Sequence, residues 1–251
     1  MTTTTGTRAS APTVALANPP GSGRGAAGTV LITGGSSGLG AATVLAVRAA
    51  GGRPVVLDRV APGEDVEHEL VDLADARAAE AAVARVLDRV GELDAVVTSA
   101  GIDRCGRLED VAPQEWDRVI AVNLLGTAAV IRAAMPALLR RQGRVITVSS
   151  TLGIKAVSDA TAYCASKFGV VGFTRALAAE TAGRVGVTLL IPGGMQTAFF
   201  DDRTEQYRPG PDAKLNSPDD VAAAIVFVLS QPPGCELREL VVAASEEPSW
   251  P

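Results

Sequence analysis

Histidine and aromatic residues are scarce in this chain of 251 residues. It has a single histidine, His68, and its aromatic content is 4%. A Ser-His-Asp triad would have to use that residue, and a metal site built on several histidines is excluded. His68 lies between Glu67 and Glu69 in a short stretch of β character, which indicates a solvent-exposed strand residue.

Cysteine is also rare, and neither the number nor the spacing of the cysteines indicates disulfide bonds. The three cysteines, Cys105, Cys164 and Cys235, are odd in number and have no C-x-x-C spacing. This pattern argues against a disulfide framework and against a structural zinc site, so we expect no metal. Free thiols are typical of a reducing compartment, and a cytoplasmic protein is therefore expected.

Long apolar runs and blocks of basic residues are missing as well. No apolar run approaches the ~18 residues of a membrane span, and residues 1–8 lack a charged region followed by an apolar core. We therefore expect neither a membrane partner nor export. A formal net charge of −5 without a Lys/Arg block argues against a nucleic-acid partner and favours a small-molecule substrate.

Regular patterns begin at Thr29. Residues 1–28 contain few large apolar side chains and are expected to form a disordered tail, whereas residues 29–251 are expected to form one domain. Apolar runs alternate there with segments of helical period, which predicts a single-domain, Rossmann-like doubly wound parallel α/β sheet of about seven strands. The predicted strands are Val30–Thr33, Pro54–Asp58, Glu69–Val71, Asp94–Thr98, Arg144–Ser149, Val185–Ile191 and Leu237–Val242. The predicted helices are Gly38–Ala50, Ala74–Val90, Pro113–Arg141, Thr161–Thr181 and Pro218–Ser230.

A glycine-rich turn, Thr33-Gly34-Gly35-Ser36-Ser37-Gly38-Leu39-Gly40, directly follows the first predicted strand and leads into a helix. A strand, a tight turn and a helix N-terminus together aim free N–H groups at a pyrophosphate, and small residues let the backbone approach it closely. The candidate contacts in this turn are Gly34, Ser36, Ser37, Gly38, Leu39 and Gly40.

Asp58 ends the next predicted strand, about 20 residues downstream, where an acid can hold the adenosine ribose hydroxyls. Its carboxylate would repel a 2′-phosphate, so NAD is favoured over NADP. Arg59, and Arg48 or Arg53, keep NADP open because a nearby guanidinium could bind that phosphate.

Tyr163 and Lys167 stand four residues apart in a predicted helix, which places a phenol and an ammonium on one face. Lowering a phenol pKa of about 10 by two or three units requires about 3 to 4 kcal/mol of differential stabilisation. Because a neighbouring ammonium is the obvious source, we predict that Lys167 lowers the pKa of Tyr163. Taken alone, the pair equally fits two side chains that merely pack on a helix.

Six motifs occur in one order along the chain. They are the glycine turn, Ser99-Ala100-Gly101, Asn123, Ser149-Ser150-Thr151-Leu152-Gly153, Tyr163-Cys164-Ala165-Ser166-Lys167 and Pro192-Gly193-Gly194-Met195-Gln196-Thr197. From about Thr29 to Ser230 the chain resembles the short-chain dehydrogenase/reductase family. The resemblance implies an NAD(P)-dependent oxidoreductase that interconverts a secondary alcohol and a ketone, and a homodimer or homotetramer.

The resemblance also implies residue roles. Tyr163 would be the general acid and base, Lys167 would lower its pKa and hold the nicotinamide ribose, and Ser150 rather than Ser149 would hydrogen-bond the reacting oxygen. Asn123 would hold a proton-relaying water, although a buried amide that satisfies a helix kink is compatible with the pattern. The further cofactor contacts implied are Arg59, Asp72, Leu73, Ala100, Gly101, Pro192, Gly193, Met195 and Thr197. A helix N-terminal cap explains Asp72 equally well.

The chain departs from the family at two places. Thr98-Ser99-Ala100-Gly101 stands where Asn-Asn-Ala-Gly is common, so a hydroxyl replaces an amide that usually braces the central strand. The glycine-rich C-terminal strand of the family is absent, and residues 236–251 give no support to the subunit contacts that usually involve it.

The substrate pocket is expected beyond the carboxyl ends of the strands, lined by Ile102–Leu108, Thr151–Ala162 and Gly194–Tyr207. Its apolar candidates are Leu152, Met195, Phe199, Phe200 and Tyr207, and its basic candidates are Arg104, Arg107, Lys155 and Arg203. The irregular segment 197–216 is the candidate lid. A lyase or isomerase that uses the same Tyr/Lys site, and a non-enzymatic nucleotide-binding regulator, are the alternatives to an oxidoreductase.

Overall fold

The computed structural model of the protein describes residues 27–63, 65–247 and 249. Residues 1–26 of the predicted tail lie outside this part. The other two residues of that tail do not behave as predicted, because Ala27 is buried in a core cluster and the Gly28 carbonyl accepts a hydrogen bond from Arg53 N. Ala27 and Gly28 therefore pack with the domain, although the predicted boundary lies at Thr29.

Seven parallel strands form one sheet in the order β3-β2-β1-β4-β5-β6-β7. The prediction of a doubly wound parallel sheet is confirmed. The strands are β1 Thr29–Thr33, β2 Arg53–Asp58, β3 Glu67–Leu70, β4 Ala95–Thr98, β5 Arg144–Val148, β6 Gly186–Pro192 and β7 Glu239–Val242. The order reverses between β1 and β4, and this switch point opens a crevice at the carboxyl ends of the strands.

Within the described residues, six α-helices cover the sheet: α1 Gly38–Ala49, α2 Ala76–Val90, α3 Pro113–Ile120, α4 Thr127–Arg141, α5 Thr161–Glu180 and α6 Pro218–Leu229. The predicted helix Pro113–Arg141 is not uniform, because the π-helical segment Ala121–Gly126 joins α3 to α4. Such widened turns are frequent at functional sites. The candidate lid contains two short 3₁₀ turns, Ala198–Phe200 and Glu205–Tyr207.

Strand residues alternate between two buried layers because successive side chains point to opposite faces. Leu31 of β1 packs with α2 and α4 on one face, whereas Val30 and Ile32 pack with α1 and α6 on the other. This double burial explains why the inner strands are apolar throughout.

β3 is the exception, since it is a charged edge strand one to two residues earlier in the sequence than predicted. Glu67 and Glu69 on β3 form ion pairs with Arg85 and Arg89 of α2. His68 is exposed, as predicted for a strand residue facing solvent. Charges on an edge strand discourage pairing with another chain.

By length and composition alone, the continuous helical stretch Pro113–Arg141 could cross a membrane. It is not an uninterrupted apolar run, because Asn123 and Arg132 lie within it. Half of its most apolar window is buried inside the protein. A core helix that packs against a sheet passes the same test.

Candidate functional site

The predicted site residues converge because the strands that carry them end at the same edge of the sheet. The chain leaves β1 at Thr33, β2 at Asp58, β4 at Thr98, β5 at Val148 and β6 at Pro192. All five strands are parallel, so these ends lie side by side across the switch point.

The glycine turn is tightly packed, which explains its composition. Gly34 has a φ of +71°, and a Cβ there would lie 2.8 Å from the Cα of Ala100. A Cβ on Gly40 would lie only 2.0 Å from the carbonyl oxygen of Gly34. Because both obstructions are backbone atoms, they cannot move aside as a flexible side chain could. Leu39 is buried beneath the turn.

The N-terminus of α1, directly after this turn, is open to an anion. Ser37 is its N-cap residue but makes no side-chain cap hydrogen bond, and the first turn of α1 has no acid. By contrast, Asp75 caps α2 by accepting from Arg77 N and Ala78 N. An uncapped N-terminus offers free N–H groups and a positive dipole end, as a pyrophosphate requires.

Asp58 is tied to the turn. Its Oδ2 accepts from Ser36 N at 3.0 Å and its Oδ1 from Arg59 N at 2.6 Å. Arg53 is the first residue of β2 and Asp58 is the last, so the two lie at opposite ends of the strand. Arg48 lies in the last turn of α1, far from the glycine turn. Of the three arginines considered for a 2′-phosphate, only Arg59 lies at the candidate site.

Asp72 lies beside the crevice but does not cap α2, whose cap is Asp75. Its Oδ1 accepts from Ala74 N at 2.9 Å, and its Oδ2 pairs with Arg118 at 2.7 Å. Burial raises the pKa of Asp72, but the bonds from Arg118 and Ala74 outweigh it and hold the pKa below its usual value. The carboxylate therefore joins the end of β3 to α3. Leu73 beside it is buried.

The departure at Ser99 is compensated locally. Ser99 Oγ donates to the carbonyl oxygen of Thr33, and Ala100 N donates to Thr33 Oγ1 at 3.1 Å. Both contacts join the end of β4 to the end of β1. A hydroxyl thus braces the central strands. A Cβ on the neighbouring Gly101 would stand 3.5 Å from Lys167 Nζ, so this loop borders the Tyr/Lys pair.

Tyr163 and Lys167 are buried near the start of α5, next to the end of β5. The Ser150 side chain lies close enough to the Tyr163 phenol to lower its pKa. Lys167 is 4% exposed, its Nζ donates to Val148 O at 3.0 Å, and it lies 5.6 Å from the centroid of the Tyr163 ring. Ser149 instead donates to Lys167 O at 3.0 Å. Of the two adjacent serines, Ser150 thus faces the phenol.

The electrostatics of the pair differ from the prediction. Burial raises the pKa of Tyr163 above its usual value, and the neighbouring Ser150 side chain opposes this without overcoming it. Burial also lowers the pKa of Lys167 to about 8. A low-dielectric site disfavours the charged form of each group. The prediction that Lys167 lowers the pKa of Tyr163 is therefore not met, because burial outweighs the effect of its neighbours.

Asn123 lies in the π-helical segment and is buried. Its Oδ1 accepts from Ile102 N at 2.8 Å, and its Nδ2 donates to Ile102 O at 2.9 Å and to Ser166 Oγ at 3.0 Å. The amide therefore locks the loop after β4 to α5, which supports the structural interpretation of this residue. The water-relay role stays a prediction.

The loop after β6 reaches back to the glycine turn. Thr197 caps the 3₁₀ turn Ala198–Phe200, and a Cβ on Gly38 would lie 3.4 Å from Thr197 Cγ2. Gly193 N donates to Val242 O at 2.9 Å, and Met195 packs against the core. This arrangement brings the predicted nicotinamide contacts to the same crevice as the predicted pyrophosphate contacts.

Glu247 was missed by sequence reasoning. Its Oε2 accepts from Gly194 N at 3.0 Å, and its Oε1 accepts from Ser249 Oγ. Ser249 Oγ is also 2.6 Å from Thr151 Oγ1, next to Ser150. The chain after β7 therefore lies over the site loops. An acid in an irregular C-terminal segment gives no sequence signal for such a contact.

A second group of missed contacts surrounds Asp103, in the loop after β4. Its Oδ2 is 2.6 Å from Arg203 Nη2 of the candidate lid, and Cys105 Sγ donates to the same oxygen at 3.2 Å. Burial, followed by the charge of Asp103, raises the pKa of the Cys105 thiol to about 12. The other basic pocket candidates, Arg104, Arg107 and Lys155, are exposed. Arg203 is thus the one that the fold brings into the crevice.

Comparisons with known proteins agree with this geometry. The family model described as short chain dehydrogenase matches residues 28–208. The L-fucose dehydrogenase of Mus musculus is 34% identical over 239 residues, which cover 87% of this chain and 88% of that protein. The D-threitol dehydrogenase of Mycolicibacterium smegmatis is 34% identical over 220 residues, which cover 80% of this chain and 85% of that protein. A solved alcohol dehydrogenase from the archaeon Thermococcus sibiricus, complexed with 5-hydroxy-NADP, has a TM-score of 0.77 and 26% identity, with coverage of 87% and 97%.

Proposed function

Because this chain belongs to the short-chain dehydrogenase family and is an NAD(P)-dependent oxidoreductase, we propose that it interconverts a secondary alcohol and its ketone, with Tyr163 as general acid and base. The observation that carries the proposal is the burial of the Tyr163 phenol together with Lys167, whose Nζ lies 5.6 Å from the centroid of the Tyr163 ring, with Ser150 close enough to lower the pKa of the phenol. These two hydroxyls can contact one substrate oxygen together.

Two side chains of the protein would transfer the proton and stabilise the negative charge that develops on the substrate oxygen. In reduction, the neutral Tyr163 phenol would give its proton to the carbonyl oxygen while the Ser150 hydroxyl donates a hydrogen bond to it. In oxidation, the phenolate would accept the alcohol proton. Since burial raises the pKa of Tyr163, the neutral acid required for reduction is the form favoured at neutral pH.

The crevice fits a dinucleotide. The backbone turn is too close-packed for a Cβ at Gly34 or Gly40, and α1 presents an uncapped N-terminus to a pyrophosphate. What a nicotinamide cofactor supplies when bound is the acceptor or donor of the hydride. The loop from Pro192 to Thr197 would orient its carboxamide, and Lys167 would hold its ribose.

Asp58 supports NAD as the preferred cofactor. Its carboxylate accepts backbone N–H bonds at the end of β2, where it can hold ribose hydroxyls and oppose a 2′-phosphate. Arg59 is exposed beside it and keeps NADP usable. Equilibrium titration of both dinucleotides tests this preference. The Kd for NAD should be lower than the Kd for NADP, and Asp58→Asn should bring the two Kd values closer together.

The function is tested by following nicotinamide absorbance with a panel of secondary alcohols and ketones. Tyr163→Phe should lower kcat by at least about 100-fold, the usual contribution of a positioned acid or base, while the Kd for the cofactor changes little. Ser230→Ala removes a hydroxyl at the exposed C-terminal end of α6, outside the crevice, and should retain turnover. Undiminished reduction by Tyr163→Phe would refute the mechanism. Turnover without net change in nicotinamide would instead indicate a lyase or isomerase.

A further inference from the structure

The ion pair between Asp103 and Arg203 is built into the wall of the substrate crevice. The Asp103 side chain is 4% exposed and that of Arg203 is 18% exposed. The Arg203 guanidinium carbon lies 5.3 Å from the centroid of the Phe199 ring, and that centroid is 5.7 Å from the centroid of the Tyr163 ring. One aromatic ring therefore separates the ion pair from the proposed acid and base.

The pair is incompletely satisfied. Among the residues that the structure describes, Asp103 Oδ1 and Arg203 Nε are buried and have no hydrogen-bond partner. A buried polar atom left without a partner is destabilising, so two such atoms in one ion pair call for an explanation. One atom is an acceptor and the other is a donor.

Asp103 lies in a loop that is held by hydrogen bonds, whereas Arg203 lies in the candidate lid. Asp103 follows β4 in a loop fixed by the bonds between Asn123 and Ile102. Arg203 lies in the candidate lid, where its guanidinium is also 4.6 Å from the Phe200 ring centroid. An opening of segment 197–216 would expose both unpartnered atoms to a ligand, and its return would enclose that ligand.

We propose that Asp103 and Arg203 select an uncharged, polyhydroxylated substrate, a polyol or sugar, by binding a hydroxyl group other than the one that reacts. A hydroxyl both donates and accepts, so it can donate to Asp103 Oδ1 while accepting from Arg203 Nε. A carboxylate or phosphate can do only the second, and it would meet the negative charge of Asp103. This inference rests on the proposed function and specifies its substrate class.

Three compounds test the proposal with the full-length protein and NAD: hexane-2,5-diol, whose second hydroxyl can reach past one aromatic ring, hexan-2-ol and 3-hydroxybutyrate. The diol differs from the mono-alcohol by one hydroxyl, and the third compound carries a carboxylate. The kcat/KM for the diol should exceed that for the mono-alcohol by at least about tenfold, because a site built to bind a hydroxyl rejects the analogue that lacks it. 3-Hydroxybutyrate should be the poorest substrate.

Variants separate recognition from simple support of the lid. The double variant Asp103→Leu with Arg203→Met replaces the pair by apolar groups, an exchange that is often neutral for stability. It should abolish the diol preference and reduce turnover of the mono-alcohol far less. Asp103→Leu alone leaves the Arg203 charge unpaired and should improve the relative kcat/KM for 3-hydroxybutyrate. Glu115→Leu, in the exposed Arg104–Glu115 pair, is the matched control and should preserve all three values.

Two results would overturn the inference. One is a wild-type protein whose kcat/KM shows no preference for the diol. The other is an equal loss of kcat/KM for all three compounds in the double variant, which would show that the pair only holds the lid segment in place. If the wild-type protein turns over none of the compounds, the proposed function fails for them. Saturation-transfer NMR with the NAD-loaded protein then decides the inference independently, because binding of the diol and the mono-alcohol with equal strength would refute it.

Discussion

Tyr163 should remain a neutral phenol up to about pH 10 in the protein free of nucleotide. Its side chain is buried, and this burial raises its pKa more than the neighbouring Ser150 side chain lowers it. With a pKa above about 10, fewer than about one molecule in a thousand carries the phenolate at pH 7. Moving the pKa down to about 7 would require more than about 4 kcal/mol of added stabilisation of the anion, because the starting pKa lies above 10.

The chain allows a direct measurement because it contains only two tyrosines. In the Tyr207→Phe variant, any tyrosinate absorbance band must arise from Tyr163. We expect no such band below about pH 10 while the circular dichroism spectrum remains native, and the Tyr163→Phe variant provides the spectral control. Repeating the titration with NAD would show how far the cofactor moves the midpoint.

A midpoint near pH 7 in the nucleotide-free protein would refute the reasoning from burial. It would also restore the hypothesis that the sequence suggested, in which Lys167 is sufficient to lower the phenol pKa. The structure argues against that hypothesis because burial raises the pKa of Tyr163 even though Lys167 lies beside the ring.

Two stability predictions follow from contacts at the cofactor crevice, each measured by urea unfolding. Gly40→Ala should destabilise by about 1 to 3 kcal/mol and weaken NAD binding, since its Cβ would meet backbone at 2.0 Å. Gly172→Ala, on an exposed and open face of α5, should instead stabilise by about 0.5 to 1 kcal/mol; equal effects of the two changes would contradict the packing argument. Ser99→Ala removes the hydroxyl that donates to the carbonyl oxygen of Thr33 and should cost about 1 kcal/mol. Ser158→Ala at an exposed position should be neutral, and a similar loss there would show that the Ser99 contact is unimportant.

The apolar strands were predictable because they depend on a local pattern. β1, β4 and β5 are buried on both faces over most of their length, so their residues are mainly apolar and their positions are evident. β3 is an edge strand with alternating exposure, and its bounds were displaced because its glutamates resemble loop residues. The π-helical segment Ala121–Gly126 was also unpredictable, since its hydrophobic pattern continues that of the flanking helices.

The candidate site likewise contains residues that the sequence predicted and residues that it did not. The glycine turn, Ser150, Tyr163 and Lys167 are recognisable because each occupies a fixed place next to the end of a strand or on one helix. Asp103 and Glu247 were not recognised, because their partners lie 100 and 53 residues away in the chain and are brought near only by the parallel sheet.

The sequence by itself determined the order of strands and helices, the crevice at the carboxyl edge and the identity of the groups that can transfer a proton. Those features follow from periodicity and from short-range spacing. The tertiary structure decided the charge state of those groups and the lining of the pocket. Burial and long-range ion pairing fix both, and neither can be calculated until distant segments are in contact.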